Sequence, residues 1–392
     1  MSHRNHRNSF RLRRKVFLFI LGVRICFFFV FLQTQTNERK MDERVNIFAY
    51  RLVNARKIRC LSQRELCDRL NGLVSSNAIA KYETGKMIPS SPVLIAIADT
   101  LGMGVDYFFR PFTIKIDPDA WEFRKKSVLG AKKVEAIKQM VAVEIEKYAE
   151  IEDVLCCSKP FSLDYRSLSV DTEEDARTMA IRFRDDLKLG RDAISFPIEL
   201  LENQGVRIVE IEADIKFDGT CIMAGSVPVI VLNKIMPPER KRFTLFHELG
   251  HLLLFFPDVS KREKLCDVFA NEVLIPSEVF VSMMGKSRRD ISLTELRAIQ
   301  VEYGISVEAL MAKASQLSII TDNRYRHFYK KMNKIPEFKS EVRRSVFNND
   351  EHSNLFHRLV FKALASELVS FSKAASLLNK PIVEVRKELN LL

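Results

Sequence analysis

The sequence predicts a multidomain chain, an all-α N-terminal module followed by an α+β domain with a helical C-terminal region. Three observations carry that prediction. At 392 residues the chain is longer than one core usually serves. From Met41 to Phe109 apolar residues recur at helical spacing and are punctuated by helix caps. Strand-like runs follow in GVRIVEIE and VPVIVLN, with helical patterns on either side.

Composition narrows the classes. With 47% hydrophobic and 29% charged residues, 13 Gly and 13 Pro, the chain is globular rather than disordered, collagen-like or low-complexity. The net charge of +12 is uneven: the first forty residues hold nine Lys and Arg against Glu38, and the remainder holds 53 basic and 49 acidic residues. A surplus of +4 over that remainder does not by itself define a nucleic-acid partner. Seven cysteines, an odd number without C-x-x-C spacing, read as reduced thiols of a cytoplasmic protein.

In the first module Phe48, Leu52 and Ala55 form one apolar stripe with Arg51, Arg56 and Lys57 outside it. Ser62 and Glu65 form a capping box before a short helix bearing Leu66 and Leu70, which ends at Asn71-Gly72. A second helix, N-capped by Ser75, turns Ile79 and Tyr82 inward and Ser76, Asn77, Ala80 and Lys81 outward; Gly85 and Pro89 stop it. Two short helices with polar groups on the exposed start of the second suit a major groove. Asn77, beside Ser76, is placed to read a base edge, and Gln63, Lys81 and Lys86 to meet phosphates. Over residues 41–109 the string resembles the Cro/C1-type (XRE) helix-turn-helix family. That resemblance implies a five-helix domain and a double-stranded DNA operator, and such modules commonly pair as homodimers on two half-sites.

Residues 1–40 form a basic and apolar extension. The run VFLFILGVRICFFFVFL, 16–32, is near the lower length for a spanning helix, and no small-residue cleavage site follows it. It reads either as a membrane anchor or, given the DNA-binding pattern that follows, as sequence upstream of a start at Met41. The second reading is preferred.

The span 110–160 reads as a helical linker, with Ile137, Val141, Ile145 and Tyr148 on one face of a long coupling helix. Two helices and a strand follow, the second helix opening at an N-cap Ser195 with Pro197 and Glu199 in its first turn. GTCIMAGSVPVIVLN then reads as a hairpin, and Val229–Asn233 is a candidate edge for an extended peptide.

HELGH, residues 247–251, is the strongest chemical signal. His247 and His251, four apart, lie on one helical face and can each offer an imidazole nitrogen to one Zn2+ ion. Glu248 lies about 100° around the helix, suited to take a proton from a zinc-polarised water. A third ligand must come from a carboxylate. In KREKLCDVFANEVLIP, Glu263 and Asp267 share a face, so Glu263 can bind metal while Asp267 orients a ligand histidine; Asp258 and Glu272 compete for the ligand role.

HELGH and EKLCDVFANEVLIP together resemble the ImmA/IrrE family of zinc-dependent peptidases. The resemblance implies a zincin-like metallopeptidase domain over 161–320 with His247, His251 and Glu263 as ligands and Glu248 as catalytic base. Cys266-Asp267 replaces the usual Ala-Asn, and Phe255 stands where His is frequent.

Toward the C-terminus, Gly304-Ile305-Ser306 ends one helix and caps the next, and SFSKAASLLNKPIVEVRKEL repeats this shape with Ser372 as cap. Residues 321–392 read as a helical region. The whole predicts a cytoplasmic DNA-binding transcriptional regulator carrying a zinc endopeptidase domain. The resemblance implies cleavage of a repressor-type protein, switching genes of a mobile element or stress response. The alternative is a non-catalytic operator-binding repressor or antitoxin whose second domain is a sensor or scaffold.

Overall fold

The computed structural model describes residues 43–111, 129–163, 165–349 and 351–389. The extension 1–40 and the joining segment 112–128 lie outside the described residues. No helix of the described residues is long and apolar enough to cross a membrane. The chain divides into two compact units at Pro111/Phe112.

The first unit is helical. Helix α1 (43–58) is followed by α2 (Gln63–Arg69), α3 (Ser76–Glu83), α4 (Ser91–Leu101) and a five-residue 3-10 turn (Val105–Phe109), so the fifth expected helix is this tighter turn. The Ser62–Glu65 capping box and the Ser75 cap both form, which fixes where α2 and α3 begin. Phe48, Leu52 and Ala55 are fully buried, with the Phe48 ring against Tyr82, Phe108 and Phe109. Two residues placed outside the stripe are drawn in. Arg51 is 1% exposed, lies over the Tyr107 ring and donates to the carbonyls of Arg110 and Pro111. Arg56 makes a two-pronged pair with Glu83 at 2.5 and 2.8 Å, tying α1 to α3.

The second unit is built around a three-stranded sheet. Strands β1 (Arg207–Ile211), β2 (Gly219–Ala224) and β3 (Val227–Asn233) lie in the order β1-β3-β2, with β1 parallel and β2 antiparallel to β3. The β2–β3 hairpin turns at Gly225, whose φ of 64° suits glycine. β3 is therefore central, and its backbone is paired on both sides. That overturns Val229–Asn233 as a free edge: an apolar, β-branched run marks a buried strand as readily as an accessible one. Among the described residues the end strand beside the HELGH helix is β2.

Alternation along the strands defines two layers. Ile208, Cys221, Ile230 and Leu232 join a core with α6 (Glu173–Asp186), α8 (Pro238–Leu253) and α9 (Arg262–Leu274). Val209, Ile211, Ile222, Val229 and Val231 face α5 (Ala131–Leu155) through Ile137, Val141, Ile145 and Tyr148. The helix expected within a linker is thus a layer of the domain, because its apolar face covers the second face of the sheet. Between β1 and α6 runs α7 (Pro197–Asn203), whose N-cap is Phe196 rather than Ser195.

Beyond α9 follow α10 (Ser277–Met284), α11 (Leu293–Tyr303), α12 (Val307–Gln316), α13 (Asp322–Lys334) and α14 (Pro336–Val342). Gly304, in the left-handed conformation, ends α11, and Ser306 caps α12. The chain closes with α15 (Leu355–Ala365), α16 (Phe371–Leu378) and α17 (Ile382–Glu388), packed on Ile151 of α5. Ser370 caps α16, so Ser372 lies within the helix.

β2 lies close along α8. A Cβ on Gly219 would sit 2.6 Å from Thr244 Cγ2 and 2.7 Å from the Val231 carbonyl oxygen. Because one obstacle is backbone, Gly219→Ala is expected to cost about 1–3 kcal/mol, read as a lower midpoint in denaturant unfolding. An unchanged midpoint would mean that β2 rides free of α8.

Candidate functional site

α8 opens with Pro238 in its first turn and carries His247, Glu248 and His251 in its second half. His247 is 1% exposed and Glu248 3%, and His251 is half-buried. α9 packs across α8 at Gly250, where an added Cβ would lie 3.2 Å from Cys266 Sγ and 3.3 Å from Phe269 Cδ1. That close crossing brings Glu263 and Asp267 over the two imidazoles.

His247 Nε2 and His251 Nε2 are 3.1 Å apart, and Glu263 Oε1 is 3.3 Å from His251 Nε2 and Oε2 3.7 Å from His247 Nε2. One ligand atom from each residue falls within 4.8 Å of the others. Asp267 Oδ1 stands 2.7 Å from His247 Nδ1, behind the ring. Burial opposes a charge on His247, yet the Asp267 and Glu263 carboxylates, with Glu248 nearby, lift its pKa to about 9. The cluster therefore favours a positive charge where the three ligand atoms converge. Two imidazole nitrogens and one carboxylate around that point suit zinc with a coordination position left over.

The competing carboxylates are engaged elsewhere. Glu272 is buried and accepts from Lys313 Nζ at 2.6 Å and from the Ser277 backbone at 2.6 Å. Asp258 accepts from Ser260 N at 2.9 Å and Oγ at 2.6 Å. Neither joins the His247–His251–Glu263 group.

Three further side chains reach the centre. The Cys221 thiol on β2 faces the Glu248 carboxyl, and burial followed by that carboxylate pushes its pKa well up, so it remains a neutral thiol. Behind His251, Arg262 Nε donates to Nδ1 at 2.7 Å and Cys266 Sγ lies 3.4 Å away. Helical spacing from Glu263 would have found Cys266; the approach of β2 leaves no local signal.

The basic residues opening α8 do more than coat it. Lys241 pairs with Glu210 at 2.7 Å, and Arg242 with Glu351 at 2.6 Å, all but the half-buried Glu210 being buried. Glu239 accepts from Gln300 Nε2, Ser345 Oγ and the backbone of Val346 and Phe347. Residues 345–347 and 351 are thereby strapped across the start of the HELGH helix.

In the first unit Ser76, Asn77, Lys81 and Lys86 are exposed on and just beyond α3. Gln63 is half-buried, and its amide donates to Glu83 at 2.7 Å, so it also joins the Arg56–Glu83 lock.

Residues 54–108 match the helix-turn-helix family model, and residues 201–315 match the peptidase family model described as the IrrE N-terminal-like domain. The second match spans all five residues of the candidate centre. No curated protein matches the chain. In this order along the chain, the two matched segments support a DNA-binding regulator that carries a peptidase-family domain.

Proposed function

We propose that the second unit is a zinc-dependent endopeptidase that cleaves a repressor-type protein, and that the first unit, paired as a homodimer, binds an operator in double-stranded DNA. The observation that carries the peptidase reading is the convergence of His247, His251 and Glu263 within 4.8 Å, with Glu248 on the same helix. His247, His251 and Glu263 would hold the ion. Asp267 accepts the Nδ1 proton of His247 and fixes the ring that presents Nε2. When bound, zinc supplies a Lewis acid for the scissile carbonyl and acidifies water to a pKa of roughly 7.

Glu248 takes the proton of the attacking water and passes it to the leaving nitrogen. Its burial keeps bulk water from competing, and the neutral Cys221 thiol donates toward it without adding charge. An extended peptide adds as a strand beside β2, which lies at the sheet margin among the described residues. Free thiols and an operator partner support a cytoplasmic location. Release of a mobile-element or stress operon is the outcome this pairing of domains serves.

Elemental analysis after dialysis is expected to give about one zinc per chain in the wild type and none in His251→Ala. Glu248→Gln should retain zinc and lose about 10²–10⁴-fold in cleavage of a co-encoded repressor. An unchanged rate in that variant would overturn the role of Glu248. A folded wild type that takes up no added zinc would overturn the centre itself. On the DNA side, Asn77→Ala should cost about 1–3 kcal/mol on the preferred sequence and little on arbitrary duplex, measured by fluorescence anisotropy. Equal losses on both would assign Asn77 to the phosphates.

A further inference from the structure

We infer that the outer face of α13 is a second, sequence-independent docking surface for the phosphate backbone of duplex DNA. α13 buries Phe328 and Met332 and turns Arg326, Lys330 and Lys334 to solvent. These three recur every fourth residue, so they form one stripe with about 6 Å between neighbours. None of the three has an acidic partner among the described residues.

Neighbouring cations are used differently. Arg324 pairs with Asp290 and Arg343 with Glu308, while Lys331 lies 4.1 Å above the Phe338 ring. Asp322 accepts from Ser315 Oγ at 3.2 Å. The loop 286–290 is tied beside the start of α13 by Arg288 N to the Ile319 carbonyl at 2.7 Å and by Asp290 to Arg324, adding exposed Lys286 and Arg289 nearby.

Charge is concentrated here. Residues 321–344 hold eight Lys and Arg against three Asp and Glu, a local surplus of +5 where the whole of 41–392 carries only +4. Helix-dipole stabilisation accounts for Lys334 in the last turn but not for Arg326 in the first half of the helix. The stripe consists of cations, which position a protein on the backbone without reading sequence. Its exposed neighbours are Asn323, His327 and Asn333, and no exposed apolar residue of α13 would enter a lipid interface. DNA is the polyanion that the helix-turn-helix segment of this chain supports as partner.

The test uses the full chain and a duplex of arbitrary sequence, about 40 base pairs long, with affinity followed between roughly 50 and 200 mM salt. In Arg326→Gln/Lys330→Gln/Lys334→Gln the plot of log affinity against log salt should be shallower by about 2–3, since each lost phosphate contact removes about 0.9 from the slope. Zinc content and thermal unfolding should match the wild type. An identical slope and affinity would overturn the proposal, as would loss of binding to phosphatidylserine vesicles with the DNA slope unchanged. Asn77→Ala serves as the contrast, altering sequence preference without altering the slope, so failure of the α3 reading is seen separately.

Discussion

Glu351→Ala is expected to destabilise the second unit by about 3–5 kcal/mol, because it strands a buried guanidinium. Arg242 is 1% exposed, donates to Glu351 Oε1 at 2.6 Å and to the Ile194 carbonyl at 2.6 Å, and lies 4.9 Å from the Phe347 ring centroid. Burial pulls its pKa down, and Glu351 is the largest influence opposing that fall. Without Glu351 the charge keeps one carbonyl and loses its counter-ion in the low-dielectric interior. Denaturant unfolding measures the loss directly. Arg242→Met in the same chain should recover part of it, since removing both charges leaves none unpaired. A loss below about 1 kcal/mol would show that the strap relaxes to admit water.

The second large effect is a pH dependence centred on Glu202 of α7. Burial pushes its carboxyl pKa up to about 7, a rise that the Ser353 hydroxyl and Arg358 only partly offset. Glu199 opposes ionisation as well, whereas Arg207, itself paired with Glu152, favours it. A raised carboxyl pKa means that the folded chain holds this proton more tightly than the unfolded chain. Its contribution is full below the unfolded value near 4.5 and is lost as pH rises through about 7. The difference amounts to roughly 3 kcal/mol. Glu202→Gln removes the dependence, so the stability of wild type relative to this variant should fall by about that amount between roughly pH 4.5 and 8. A constant difference across this range would mean that Glu202 ionises freely.

Much of the candidate centre was legible because its chemistry is written at helical spacing. His247, Glu248 and His251 fall within one turn and a half of α8, and Glu263 and Asp267 within one turn of α9. Whether Glu263, Asp258 or Glu272 supplied the carboxylate was open, since all three lie within a few turns of HELGH. Among the described residues Glu263 joins the two histidines, while the buried Lys313 ammonium, some forty positions further on, holds Glu272 and Ser260 holds Asp258. Phe255, standing where a histidine is frequent in the resembling family, is 52% exposed and outside the His247–His251–Glu263 group.

By itself the sequence determined where helices start and stop, through the Ser62–Glu65 box, the Ser75 and Ser306 caps and the left-handed Gly304. It also determined which groups share a helical face. These are properties of residues at most four or five apart, and local backbone chemistry decides them. Only the tertiary structure decided that β3 is central, that α5 covers the sheet and that Lys241 and Arg242 are buried ion-pair partners. It alone set Cys221 against Glu248. Those outcomes depend on which distant surface each apolar face or charge meets, and neither pattern nor propensity within a segment encodes that meeting.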